Sequence, residues 1–210
     1  MFPDAGRLYP LTDTRLSNLS HAEQVLRFSE GGARVVQLRE KHLSSGEFYD
    51  QAAVAVRVGR ARNVTIIIND RVDVALAVGA DGVHLGQDDL PPDAARWLLG
   101  NQAIIGFSTH NLEQAVEATR LPLDYIALGP IFGTSSKENP DPPVGLVGLA
   151  QVRQAMGKIP IVAIGGINRE NARQVIEAGA DAVAVISALL VPSAEIVTRT
   201  RQLLSRLSPI

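Results

Sequence analysis

Ala77-Val78-Gly79-Ala80-Asp81-Gly82-Val83-His84-Leu85 ends a helix and begins a strand within one short stretch. Gly79 closes the helix in a left-handed turn that a residue without Cβ enters at little steric cost. Gly82 to Leu85 is then a short apolar run of the kind buried on both faces of a parallel sheet. The same device returns at Glu177-Ala178-Gly179-Ala180-Asp181-Ala182-Val183. Outward from these two echoes, further runs of strand character lie at Arg7 to Leu11, Val35 to Leu38, Thr65 to Ile68, Ala103 to Gly106, Tyr125 to Leu128 and Ile161 to Ile164, with Ala182 to Val185 completing the second echo. Helical spacing predicts helices over 20–31, 46–61, 71–78, 92–99, 111–118, 147–156, 169–177 and 193–206. Asn111 before Leu112, and Asn168 with Glu170 in the next turn, read as helix entries. Eight strand–helix units in 210 residues, about 26 residues each, have the count and length of one compact (β/α)8 barrel, the TIM barrel of the α/β class, spanning 1–210 as a single domain. A doubly wound open sheet is the alternative.

Composition narrows the function classes. The chain is 46% hydrophobic and 20% charged, as a soluble globular protein is, and its net charge of −2 provides no basic field for nucleic acid or an anionic membrane surface. With no cysteine, disulfides, thiolate metal sites and a cysteine nucleophile are excluded. Met1-Phe2-Pro3-Asp4 lacks a basic leader, and the run Ala182 to Val191 is interrupted by Ser187 and stopped by Pro192, so no spanning segment is expected and the expected location is the cytoplasm.

In a barrel the chemistry sits at the C-terminal ends of the strands. After the second run comes Gln37-Leu38-Arg39-Glu40-Lys41, where alternation sets Gln37, Arg39 and Lys41 on one side: an amide, a guanidinium and an ammonium suited to a polyphosphate, unless they are a solvated strand end paired with Glu40 and Glu47. Asn69-Asp70-Arg71 follows the third run and Gly86-Gln87-Asp88-Asp89 the fourth. Asp70 with Asp88 or Asp89 would supply the one or two carboxylates that magnesium uses beside phosphate oxygens; the competing reading makes them helix caps. Ser108-Thr109-His110 and Gly129 to Lys137 end the fifth and sixth runs with hydroxyls, glycine amides and a lysine. Gly165-Gly166 and Ile186-Ser187, after the seventh and eighth, stand where barrels cradle phosphate on backbone N–H groups. The polar, proline-bearing stretch 133–145 reads as an active-site lid. His84 is expected to be a satisfied core histidine, His21 and His42 to face solvent, His110 to lie at a strand end, and Trp97 to pack its helix against the barrel.

Taken in order, Gln37 to Lys41, Asn69-Asp70-Arg71, His84 to Asp89, Gly129-Pro130-Ile131-Phe132 with Thr134 to Lys137, and Ala163 to Ile167 resemble the thiamine-phosphate synthase family over nearly the whole chain. The resemblance implies a transferase that joins a hydroxymethylpyrimidine diphosphate to a thiazole phosphate and releases pyrophosphate, with Mg2+ as cofactor and small molecules as partners, a homodimer being left open. It implies that Gln37, Leu38, Arg39, Glu40, Lys41, Asn69, Ser108 and Lys137 bind the pyrimidine diphosphate, with Arg39, Lys41, Ser108 and Lys137 as the catalytic set. Asp70 and Asp89 would bind the metal, and Thr134, Ser135, Ser136, Gly166, Ile186 and Ser187 the thiazole phosphate. This chain has Thr134-Ser135-Ser136-Lys137 where the family usually reads Thr-x-Thr-Lys, which keeps the hydroxyl and loses a methyl. A related branch of thiazole tautomerases and regulatory binders carries a histidine where this chain has Pro130. A sugar-phosphate epimerase would need a proton-transfer pair, and the Gln37, Arg39 and Lys41 set would have no purpose in it.

Overall fold

The computed structural model describes residues 6–133 and 141–208. The strands are β1 (Leu8–Pro10), β2 (Val35–Leu38), β3 (Thr65–Asn69), β4 (Gly82–Leu85), β5 (Ile104–Thr109), β6 (Tyr125–Leu128), β7 (Ile161–Ile164) and β8 (Ala182–Val185). All of their pairings are parallel, in the order β1-β8-β7-β6-β5-β4-β3-β2. The ring closes between β1 and β2 through a bridge from Leu11 to Gln37 and a 2.9 Å bond from Thr12 N–H to the Gln37 carbonyl. This is the expected (β/α)8 barrel, not the open sheet.

The helices are α1 (Thr14–Ser17), α2 (His21–Glu30), α3 (Ser45–Ala61), α4 (Val72–Val78), α5 (Pro92–Leu99), α6 (Leu112–Ala118), α7 (Gly145–Met156), α8 (Ala172–Glu177), α9 (Ser187–Leu190) and α10 (Ile196–Leu207). Ser20 and Ser44 open α2 and α3 with reciprocal capping boxes to Glu23 and Glu47, and Asn111 caps α6. Gly79 ends α4 at φ 63° and Gly179 follows α8 at φ 114°, the left-handed turns that both echoes predict. Asn168 differs from expectation: it bonds the Glu170 and Asn171 amides in a turn, and α8 starts beyond it.

The carboxylates that precede alternate strands tie down the N-terminal end of the barrel. Asp81, Asp124 and Asp181 accept the amides of Ile66, Ile105 and Ile161 at 2.7, 2.8 and 2.8 Å, joining the starts of β4, β6 and β8 each to the strand before it.

Alternation along the strands divides the core in two. Leu8, Val36, Leu38, Ile66, Ile68, Val83, Leu85, Ile105 and Ile126 pack outward against the helices, whereas Tyr9, Val35, Ile67, Tyr125, Val162, Ala182 and Ala184 fill the barrel. Two sequence expectations are corrected here. Trp97 is 83% exposed and packs against nothing in the barrel, because the buried face of α5 is formed by Pro92 and Ala95. His21 is fully buried, with Nδ1 2.7 Å from Thr12 Oγ1, because α2 turns its first residue toward the β1 and β2 strand ends.

Candidate active site

The inward parity continues past the strand ends and lines a cavity of about 720 Å3 at the C-terminal mouth of the barrel. Gln37, Arg39 and Lys41 reach it from β2, Asn69 and Asp70 from β3, and Asp88 and Asp89 from the turn after β4. Ser108 enters from β5, Gly165 and Gly166 from β7, and Ile186 and Ser187 from β8. Leu38 and Glu40 have the opposite parity. The side chain of Leu38 lies in the outer core, and Glu40 supports the site from behind. Its carboxylate accepts the Lys41, His42 and Leu43 amides at 2.8, 2.7 and 3.3 Å and stands 3.4 Å from His21 Nε2. Thr134, Ser135, Ser136 and Lys137, and with them most of the proposed 133–145 lid, lie outside the described residues.

The cations and carboxylates at the β2 to β4 ends are interlocked. Lys41 Nζ pairs with Asp70, and Arg39 lies 3.3 Å from Asp13, the N-cap of α1. These are the pairings observed, in place of the solvated pairs with Glu40 and Glu47. Asp70 adopts φ 63°, a left-handed conformation that Asp and Asn tolerate better than most residues and that turns the chain out of β3. None of Asp70, Asp88 and Asp89 is a helix cap: the N-cap residues of α4 and α5 are Arg71 and Pro91, with no side-chain cap bond. Asp89 instead accepts the Gly86 amide at 2.6 Å, and burial, then the charge of Asp70, pushes its carboxyl above the usual range.

The charge of Asp70 beside Asp89 bears on the expected metal. A carboxyl held beside a second carboxylate's charge is a place where a hard divalent cation is favourable, and magnesium needs only one or two carboxylates when phosphate oxygens and water complete its octahedron. Among the described residues no cluster of three or more His, Cys, Asp or Glu forms a self-sufficient metal site. The donors therefore fit a cation shared with a phosphorylated ligand.

Across the cavity, the backbone is shaped for an anion. Gly165 and Gly166 have φ 100° and 63°, and a Cβ on either would stand 2.5 Å from Pro130 Cα or from the Gly133 carbonyl, so only glycine fits both turn and approach. Ser187 opens α9, a short helix the periodicity did not reveal, whose N-terminus carries no side-chain cap and faces the cavity.

The floor contains residues that sequence reasoning did not place in the site. Tyr9 and His84 line the cavity, with the buried Tyr125 ring stacked on His84 at 5.5 Å. His84 is the satisfied histidine expected, 3.0 Å from Tyr125 OH and 2.9 Å from Ser108 Oγ, and burial pushes its pKa down to about 4. The signal that could have found it is parity, since His84 is two residues before Gly86 on the inward face. His110, at the end of β5, binds the Gly129 carbonyl at 2.7 Å.

Known proteins agree with this arrangement. The family model described as thiamine monophosphate synthase matches residues 8–189. Thiamine-phosphate synthase of Chloroflexus aurantiacus is 49% identical over 198 residues, covering 94% of this chain and 90% of that one. The Clostridium novyi protein of the same name is 46% identical over 185 residues, covering 88% and 90%. The solved structure of thiamine phosphate pyrophosphorylase from Pyrococcus furiosus superposes with a TM-score of 0.88 at 37% identity, covering 99% of this chain and 98% of that one. With the family model spanning most of the barrel and its cavity, the chain belongs to the thiamine monophosphate synthase family.

Proposed function

We propose that the protein is a thiamine-phosphate synthase that condenses 4-amino-2-methyl-5-(diphosphooxymethyl)pyrimidine with thiazole phosphate, giving thiamine phosphate and pyrophosphate. The observation that carries the reading is one cavity lined by Arg39, Lys41, Asp70 and Asp89 from the β2 to β4 side and by Gly166 and Ser187 from the β7 and β8 side. A diphosphate on the first and a monophosphate on the second would bring the two heterocycles together between them.

Arg39 and Lys41 neutralise the leaving diphosphate as its C–O bond breaks and the electron pair departs with it. The aminopyrimidine stabilises the methylene cation left behind, and the thiazole nitrogen supplies the pair for the new C–N bond. No general base or covalent nucleophile takes part. Asp70 and Asp89 would hold Mg2+, which supplies further neutralisation of the diphosphate. Gln37, Asn69 and Ser108 orient the pyrimidine diphosphate, and Gly166, Ile186 and Ser187 the thiazole phosphate. From 134–137, Thr134, Ser135 and Ser136 would add contacts to the thiazole phosphate and Lys137 to the diphosphate. Both precursors are charged and do not cross membranes unaided, which supports a cytoplasmic location. No helix among the described residues is long and apolar enough to cross a membrane.

Product analysis tests the reading: purified protein given both precursors forms thiamine phosphate. Absence of product with retained thiazole phosphate binding would instead make it a tautomerase or a regulatory binder.

A further inference from the structure

Under the cavity runs a chain of polar side chains whose inner members, Tyr9, Tyr125 and His84, have no role in the reaction scheme. Gln37 Nε2 donates to Tyr9 OH at 3.1 Å, and Tyr9 OH lies 3.0 Å from Tyr125 OH. Tyr125 OH lies 3.0 Å from His84 Nδ1, and His84 Nε2 lies 2.9 Å from Ser108 Oγ. The links join β2 to β5 across the interior through β1, β6 and β4. Gln37, Tyr9, Tyr125 and His84 are all buried, and Tyr9 meets Tyr125 edge-on with ring centroids 6.0 Å apart. The backbone makes room for this: a Cβ on Gly106 would stand 2.0 Å from Tyr125 Cζ. A barrel interior needs only apolar packing, so five polar groups in series call for a physical account.

Direction is the informative property. A phenol or an imidazole can give or take a hydrogen bond, but an amide N–H only gives, so the Gln37 end of the chain has a defined sense. Run head to tail from there, Tyr9 accepts a hydrogen bond from Gln37 and donates one to Tyr125, which donates one to His84 Nδ1. A neutral imidazole then carries its single proton on Nε2 and gives it to Ser108 Oγ. The Ser108 hydroxyl cannot return a proton to His84 and must aim it elsewhere, and Ser108 lines the cavity. In the opposite sense Ser108 would donate inward and turn a lone pair toward any anion above it, a repulsive arrangement.

We propose that Gln37, Tyr9, Tyr125 and His84 form a positioning relay that holds His84 as the Nε2–H tautomer and thereby turns the Ser108 hydroxyl outward as an obligatory donor to the diphosphate. His84 is a positioning residue that acts through Ser108. The functional half of the proposal rests on the synthase reading; the tautomer does not.

The test has two arms. Nitrogen-15 NMR of the ligand-free protein reads the tautomer: the expected spectrum has His84 Nδ1 at the shift of an unprotonated imidazole nitrogen and Nε2 at that of a protonated one. Tyr125→Phe, which removes the donor to Nδ1, releases this pattern, and so does Tyr9→Phe, which cuts Tyr125 off from the Gln37 amide that sets the direction. An Nδ1–H tautomer in the parent protein would overturn the proposal. In the kinetic arm, Tyr125→Phe lowers kcat/KM for the pyrimidine diphosphate about tenfold, the size of one hydrogen bond to a charged group, with the KM for thiazole phosphate unchanged. In a Ser108→Ala background the same substitution changes kcat/KM less than about twofold. Equal losses in both backgrounds would show a structural effect that bypasses Ser108 and would also overturn it. A parent protein that turns over no precursor would sink the synthase reading, while the NMR arm still decides the relay.

Discussion

Lys41 and Asp70, from the ends of adjacent strands, close an ion pair at the mouth of the barrel. The pair joins the group expected to hold the diphosphate to a group expected to hold its counter-cation, and Asp70 is in turn the charge that acts on Asp89. Binding of a metal diphosphate would exchange this internal pairing for one with the ligand.

Asp70→Asn tests that exchange without disturbing the backbone, since Asn also tolerates the left-handed conformation at φ 63°. The expected outcome is a fall in turnover of about a hundredfold or more, with an unfolding midpoint close to that of the parent. Steady-state kinetics beside a denaturant titration would check it. Near-normal turnover would remove Asp70 from the site.

Gly106→Ala probes the floor. A methyl there meets the Tyr125 ring, whose terminal carbon would lie 2.0 Å away. Forcing the ring aside should cost about 1–3 kcal/mol of stability and lower the affinity for the pyrimidine diphosphate, because Tyr125 supports His84 and Ser108. Unchanged stability in urea titrations would show that the barrel repacks freely around the methyl.

Much of this architecture was legible as pattern. Runs such as Val35 to Leu38 and Ile161 to Ile164 are buried on both faces and bounded by turn residues, so their extents match the observed strands. Alternation points Gln37, Arg39 and Lys41 to one side, and Asn69 and Ser108 follow from their places at strand ends; all five line one cavity. What escaped was whatever depends on three dimensions. Helices α1 and α9 are each 4 residues long, too short to show a helical period. Trp97 and Leu98 are exposed on a helix that buries only a narrow face, so apolar character does not reveal that Trp97 faces away from the barrel. The contact of His84 with Tyr125 joins residues 41 apart in sequence, and periodicity holds no record of it.

The exposed indole gives a simple check of that correction. With Trp97 83% exposed, Trp97→Ala should change stability by no more than about 0.5 kcal/mol, and the parent's fluorescence should be readily quenched by iodide. A large loss of stability or a shielded indole would mean that the helix face is covered.

Acid sensitivity should carry the mark of His84. Its pKa is about 4 in the folded protein against an ordinary 6.5, so between these values the unfolded chain binds the proton that the folded chain refuses. Stability from this residue is therefore complete above about pH 6.5 and declines as pH falls toward 4, with a slope approaching ~1.4 kcal/mol per pH unit. His21, shifted in the same direction by burial, adds to the decline. Urea titrations at pH 7 and 5 should show a smaller difference for His84→Gln than for the parent. An identical difference would mean that His84 is not buried neutral.

The proposed reaction brings two substrates and a divalent cation together in one cavity. Its most direct test is pyrophosphate release by purified protein with both precursors present, with each omitted in turn, and with magnesium either supplied or removed by chelation. The predicted result is release only when both precursors and magnesium are present together. Release from the pyrimidine diphosphate at the same rate without thiazole phosphate, or full activity without any divalent cation, would contradict it.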